Sequence, residues 1–262
     1  MADNPYAPPR SHVEDAPTSL PDGDFIPEGR SVPAGNGWKW IADAWAFMSE
    51  QRWTFVGVFL LLVLLQIVAN FIPIVGSLAV SILFPAFLGG LLLGYDAVRR
   101  GERLEVGHLF AGFQRHAGKL MTLGVISLAT GIVMALIMLA IVGFSAAPFL
   151  FGGATPTPDQ ITGILLPMLL AVLVVIALSL PLSMAMLYAP ALIVLTDSEV
   201  VPALKTSFFA CLKNVLPFLI WGVMIMVLGI VATIPLALGW LLLGPVMMVS
   251  LYISYRDVFH DV

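Results

Sequence analysis

The sequence predicts an all-α integral membrane protein, a bundle of six spanning helices, and three observations carry that reading. First, 60% of the 262 residues are hydrophobic and 11% are charged, with mean hydropathy +1.00. A soluble domain carries about 25% charged residues and needs polar groups to cover its surface. Second, six apolar runs lie near 54–73, 77–98, 120–143, 163–194, 215–236 and 239–256, and no Lys, Arg, His, Asp or Glu interrupts the interior of any. About 20 apolar residues in a helix cross ~30 Å of hydrocarbon. Third, all twelve Lys and Arg residues fall on one side of the resulting topology. The connections after the first, third and fifth runs hold none, so the positive-inside rule predicts both termini in the cytosol. A β-barrel is excluded, because its strands alternate in polarity and these runs are continuously apolar.

Taking the elements in order, residues 1–36 hold seven prolines and six acids against two bases. Such a segment cannot bury enough surface to offset ordering entropy, and the sequence predicts a disordered, acidic, Pro-rich cytosolic tail. No charged n-region followed by an apolar h-region opens the chain, so no cleavable signal peptide is expected and the first span is expected to act as export signal. The remaining 226 residues, the membrane domain 37–262, balance ten acids against ten bases. That balance gives no footprint for nucleic acid.

Three amphipathic stretches, about 37–51, 104–118 and 200–213, precede the three pairs of spans. In "GWKWIADAWAF" a helical wheel puts Trp38, Ile41, Trp45 and Met48 on one face and Lys39, Asp43 and Glu50 on the other. Trp38, Trp40, Trp45 and Trp53 are expected as interfacial anchors, since indole favours the headgroup level. The reading is a helix lying on the inner leaflet, in contact with membrane lipids; the alternative is an ordinary packed helix. In the second stretch Val106, Leu109, Phe110, Phe113 and Ala117 share a face. In the third, Val201, Leu204, Phe208 and Leu212 do. The fourth run is too long for an untilted crossing and is expected to tilt, kink or end in the interface. The loop 145–160 is expected outside.

The unit of surface helix, span, short turn and span occurs three times. "PAFLGGLLLGYDAV" from Pro85 and "PVMMVSLYISYRDV" from Pro245 align without gaps, sharing the proline, Leu91/Leu251, Tyr95/Tyr255 and Val98/Val258. The fourth span matches loosely, through Pro181 and Tyr188. Proline inside a span removes a hydrogen bond and kinks the helix, so Pro85, Pro181 and Pro245, with the polar pair Gln66 and Asn70, are the candidates to border a cavity. Ala86, Gly90 and Gly94 form a small-residue ridge suited to close helix packing.

The order "VPAGNGWKWIADAWAFM", "FIPIVG", "HLFAGF", "YAPALIVL" and "SFFACLKNVLPF", across about residues 32–256, resembles a family of uncharacterised multi-pass inner-membrane proteins of proteobacteria. The resemblance implies a bacterial inner-membrane location and carries over no functional residue. The opening "NPYAPP" is similar to short cytosolic tails of bacterial multi-span proteins and marks a candidate site for a protein partner.

No HExxH, CxxC, GxSxG or Walker motif occurs. No catalytic residue, metal site or cofactor is expected, and no enzyme. The lone Cys211 reads as a small hydrophobe. No ionisable group sits within a span to act as a proton relay. The sequence therefore favours a non-enzymatic protein acting through partners or on the bilayer. An uncoupled transporter, channel or lipid-moving protein, with its cavity between proline-kinked spans, is the alternative.

Overall fold

The computed structural model of the chain describes residues 23–152 and 158–261. Among them a two-residue ladder, β1 (Asp24–Phe25) against β2 (His260–Asp261), is antiparallel; the other elements are helical. In order these are α1 (Asn36–Phe47), α2 (Arg52–Asn70), α3 (Val75–Arg99), a 3-10 turn (Val106–Phe110), α4 (Ala111–Arg115), α5 (Ala117–Gly152), α6 (Pro158–Thr196), α7 (Val200–Lys213), α8 (Val215–Thr233) and α9 (Trp240–Phe259). Six helices are long and apolar enough to cross a membrane: α2, α3, α8, α9 and the segments Ala117–Gly143 of α5 and Leu165–Thr196 of α6.

The helices form three antiparallel hairpins. Even-numbered spans α3, α6 and α9 touch one another; α5 lies against α3 and α6, α2 against α3 and α9, and α8 against α9. The 19-residue α2 and α8 are each ~29 Å long, whereas the 36 and 39 residues of α5 and α6 give ~54 and ~59 Å at 1.5 Å per residue. The expected outer loop 145–160 is therefore largely helix, and only 153–157 fall outside the described residues. The middle hairpin is the longest, with helices of 36 and 39 residues against 19 to 25 in the other two.

Burial is concentrated at the end that carries β1 and β2, the terminal end. There α3 is buried from Ala86 to Arg99, α6 from Tyr188 to Val194 and α9 from Leu243 to Phe259. The other ends of the helices expose Leu, Ile and Val, as lipid-facing surfaces do. The terminal core is aromatic. Tyr188 meets Phe259 edge-on at 5.4 Å, Tyr255 meets Phe259 at 5.3 Å, and Tyr95 stacks on Phe55 at 5.6 Å. One hydroxyl there has no partner among the described residues, that of Tyr255, which is 1% exposed. An unpaired buried hydroxyl is a liability, so Tyr255→Phe is expected to raise stability by about 1 kcal/mol. A fall in the thermal midpoint of the purified variant would refute this.

The surface segments do not dock on the hairpins they precede in sequence. The 3-10 turn and α4 pack on α3, α7 packs on α6, and α1 packs on α8 and α9. Each sits on the preceding hairpin, and α1 sits on the last one. The expected tail is also corrected. Residues 23–36 are built into the terminal end, although their proline content suggested disorder. Arg30 N donates to Val258 O at 2.8 Å, Val32 N donates to Asn214 Oδ1 at 2.8 Å, and Asn214 Nδ2 donates back to Arg30 O at 2.8 Å. Gly29 takes φ +63 beneath Ala210 and Phe259, a conformation that side chains disfavour. Residues 1–22, with "NPYAPP", lie outside the described residues.

Candidate functional site at the terminal end

Helix α1 buries Gly37, Trp40, Ile41 and Ala44. Trp40 is 1% exposed, and its Nε1 donates to Asp257 Oδ2 at 2.7 Å. Trp40 is thus a structural member of the core and no interfacial anchor, and α1 is packed into the bundle end. Trp38, Trp45 and Trp53 remain 48%, 43% and 79% exposed. The Arg52 guanidinium lies over the Trp45 ring at 4.2 Å, within cation–π range. The wheel grouped Trp38 and Trp45 with Ile41 and Met48; the structure separates them, burying the second pair and leaving the first exposed.

The other two segments are also packed against the bundle through one face. The stretch 104–118 is a 3-10 turn and a single helical turn, held at its start by a reciprocal cap in which Glu105 N donates to His108 Nδ1 at 3.0 Å. The ridge of Ala86, Gly90 and Gly94 does pack closely, but against this segment. A Cβ on Gly90 would collide with the carbonyls of His108 and Leu109, and one on Gly112 with Ala86 O. Helix α7 buries its small face, Ala203, Ser207, Ala210 and Cys211, and leaves Val201 and Leu212 outward. Ser207 Oγ donates to Met184 O at 2.7 Å and accepts from Tyr188 N at 2.9 Å, a polar stitch into α6. Burial pushes the Cys211 thiol up to about 12, which fits the small-hydrophobe reading.

The candidate cavity residues are brought together only in part. Gln66 and Pro85 line one groove of about 490 Å³ between α2, α3 and α5, with Ser81 and Ser127. Asn70 Nδ2 donates to Gln66 O on its own helix at 2.7 Å. Pro181 is exposed and Pro245 is buried, so the three prolines border no common space among the described residues.

What the sequence reading missed is a cavity of about 460 Å³ at the terminal end, between α1, the last turns of α9 and the end of α3. Helix α1 contributes Lys39, Trp40, Asp43 and Phe47; α9 contributes Tyr252, Arg256 and Asp257; α3 contributes Arg99. Two carboxylates, Asp257 in the lining and Asp96 behind Arg99 and Tyr252, hold the surrounding side chains. Asp257 accepts from Trp40, from Asn36 Nδ2 at 2.7 Å and from Arg30 at 3.3 Å. Asp96 accepts from Arg99 Nε and Tyr252 Oη, both at 3.0 Å, and from Arg100 at 2.8 Å. Asp43 differs. No hydrogen bond or ion pair to it is present among the described residues, and burial, opposed by Lys39 and reinforced by Asp257, raises its pKa. Because the folded-state value lies above the unfolded one, the stabilisation belongs to the protonated form. It is complete below the unfolded pKa of about 4 and is lost as pH rises through the folded value. Asp43→Asn is therefore expected to stabilise the protein at pH 7 and to change nothing near pH 3. Equal shifts in thermal midpoint at both pH values would contradict that. No signal in the sequence marked this cavity: Arg99, Arg256 and Asp257 read as ordinary polar ends of spans.

A family model described as a domain of unknown function (DUF7847) matches residues 50–255. The chain belongs to the DUF7847 family. No curated protein and no solved structure matches it. The DUF7847 match takes in five of the six long helices whole and α9 up to Tyr255, and it begins after α1, so the cavity residues Lys39, Trp40 and Asp43 on α1 and Arg256 and Asp257 on α9 stand outside the matched residues. No group of three or more His, Cys, Asp or Glu among the described residues could hold a metal ion.

Proposed function

We propose that this DUF7847 protein is a non-enzymatic multi-pass protein of the bacterial inner membrane, with both termini in the cytosol, that works by binding at its terminal face. The observation that carries the reading is the contrast within the bundle. The terminal halves of the even-numbered spans close on one another around buried aromatic rings, and the charged cavity opens on the same face. A conduction path along the bundle axis would have to pass through Tyr95, Tyr188, Tyr252 and Tyr255, all buried. The placement of all twelve bases supports the orientation. The docking of each surface segment on the preceding hairpin, with α1 on the last, supports a threefold repeat closed into a ring. Residues 1–22, with "NPYAPP", and the outward apolar face of α7 are surfaces for a protein partner and for lipid.

The test is reconstitution. Vesicles holding the purified protein are expected to retain small ions and dyes as protein-free vesicles do; protein-dependent release of any of them overturns the reading. In a Cys211→Ala background, Asp159→Cys is expected to label from outside intact cells and Ser31→Cys only after permeabilisation. The groove at Gln66 and Pro85 supports a second reading, a lipid-moving protein. In that case labelled phospholipid exchanges leaflets in the vesicles and Gln66→Leu slows it.

A further inference from the structure

We infer that the groove between α2, α3 and α5 binds the hydroxyl head of an uncharged lipid alcohol, carried by a diacylglycerol or by a long isoprenoid alcohol. This rests on the membrane placement proposed above and names the ligand of the groove given there for lipid movement. Three polar side chains from three helices line the groove, Gln66, Ser81 and Ser127. Two of them lack partners among the described residues. On α5, Thr122 and Thr130 donate back to Gly118 O and Ile126 O, both at 2.8 Å, as hydroxyls inside helices commonly do. Ser127 Oγ makes no such bond. The Gln66 side-chain amide makes none either; only the backbone oxygen of Gln66 is engaged, by Asn70. Ser81 Oγ donates to Ser77 O at 2.9 Å. Pro85, four residues on and in the same lining, has no N–H to give Ser81 O, so that carbonyl lacks its helical donor. The groove therefore offers donors in Gln66 Nε2 and Ser127 Oγ, and acceptors in Gln66 Oε1 and Ser81 O. Lipid tails satisfy none of these, and polar groups left unpaired in hydrocarbon are costly. A hydroxyl both donates and accepts, so it answers both sets; an ester or ring carbonyl only accepts. Depth excludes a charged head. At 1.5 Å per residue Ser127 stands ~15 Å along α5 from Ala117, and Gln66 ~21 Å along α2 from Arg52, both inside ~30 Å of hydrocarbon. No ionisable residue lines the groove, so a phosphate or ammonium there would be desolvated without a counter-charge. About 490 Å³ accommodates a small head and the start of its chain.

The experiment places the full chain in phosphatidylcholine nanodiscs and photolabels it with a diacylglycerol or an isoprenoid alcohol, each carrying a diazirine in its chain. Labelled peptides are mapped by mass spectrometry. Label is expected on α3 and α5 along the groove. Unlabelled alcohol should compete for it, whereas the acetyl ester of that alcohol and a phospholipid of the same chains should not. Gln66→Leu and Ser127→Ala should each weaken binding about fivefold, the loss of one neutral hydrogen bond. Gly131→Leu should abolish labelling without moving the thermal midpoint, because a Cβ there meets nothing within 4 Å and the side chain fills the groove alone. Ser179→Ala should change nothing, since that hydroxyl already donates to Ile176 O on α6. Labelling by the diacylglycerol alone assigns the glycerolipid source, by the isoprenoid alone the other, and by both the hydroxyl itself. The inference is overturned if neither probe labels the groove above a phospholipid probe, if the acetyl ester competes as well as the alcohol, or if the three groove variants label like the parent protein. Any of these leaves the closed bundle and its topology standing. Specific labelling in vesicles that show no phospholipid exchange removes the second reading and keeps this site, and cysteine labelling on the wrong side would remove the placement itself.

Discussion

Gly112→Val is expected to cost about 3 kcal/mol, at the upper end of overpacking penalties, and to lift the 104–115 segment off α3. The reason is geometric. A Cβ at Gly112 would run into Ala86 O and come within 2.9 Å of Gly90 N, both backbone atoms of a packed helix that has no rotamer to change. A flexible side chain could give way; a helical carbonyl cannot. Gly107→Val supplies the control, since a Cβ there meets nothing within 4 Å, and surface changes of that kind stay within about 0.5 kcal/mol. Thermal midpoints of the two variants in the same detergent decide the matter. If Gly112→Val melts with the parent protein, the close approach of α4 to α3 is wrong.

Asp257→Ala should be of similar size, about 2–4 kcal/mol, because one carboxylate serves three donors from the N-terminal segment and α1. Removing it strands the buried Trp40 N–H and leaves the partly buried Arg30 guanidinium with Asp261, at 3.0 Å, as its remaining carboxylate partner. The loss is local, so its signature is too. Residues 23–36 should leave the terminal end, and trypsin should cut after Arg30 much faster than in the parent protein. Asp257→Asn keeps a carbonyl acceptor and should fall between. Unchanged cleavage after Arg30 in Asp257→Ala would show that β1 and the Val32–Asn214 contact hold the segment without help.

Both predictions concern positions whose residue type was legible and whose partner was not. The small ridge at Ala86, Gly90 and Gly94 announced a close helix contact, since only small side chains admit one. That the 3-10 turn at Val106–Phe110 fills it depends on how the first hairpin turns back, which no local pattern encodes. The expectation of Trp40 as an interfacial anchor fails for a related reason. Trp38, Trp40 and Trp45 lie on one short helix, and hydrophobicity cannot rank a lipid-facing indole against one that donates to Asp257. The α7 wheel put the large apolar residues on one face, expected toward the inner leaflet. The structure packs the small face against α6 and leaves Val201 and Leu212 exposed, because small side chains admit a close approach.

By itself the sequence determined six helices long and apolar enough to cross a membrane, because that property depends on each segment's own composition and length. It also determined that the bases gather on one side, because that is a count. The tertiary structure alone decided which surface segment covers which hairpin, that residues 23–36 belong to the fold, and that Asp43, Arg99 and Arg256 face one cavity. Those outcomes are set by contacts between residues about 20 to more than 200 positions apart, and such contacts leave no period and no spacing in the chain for a reader to find.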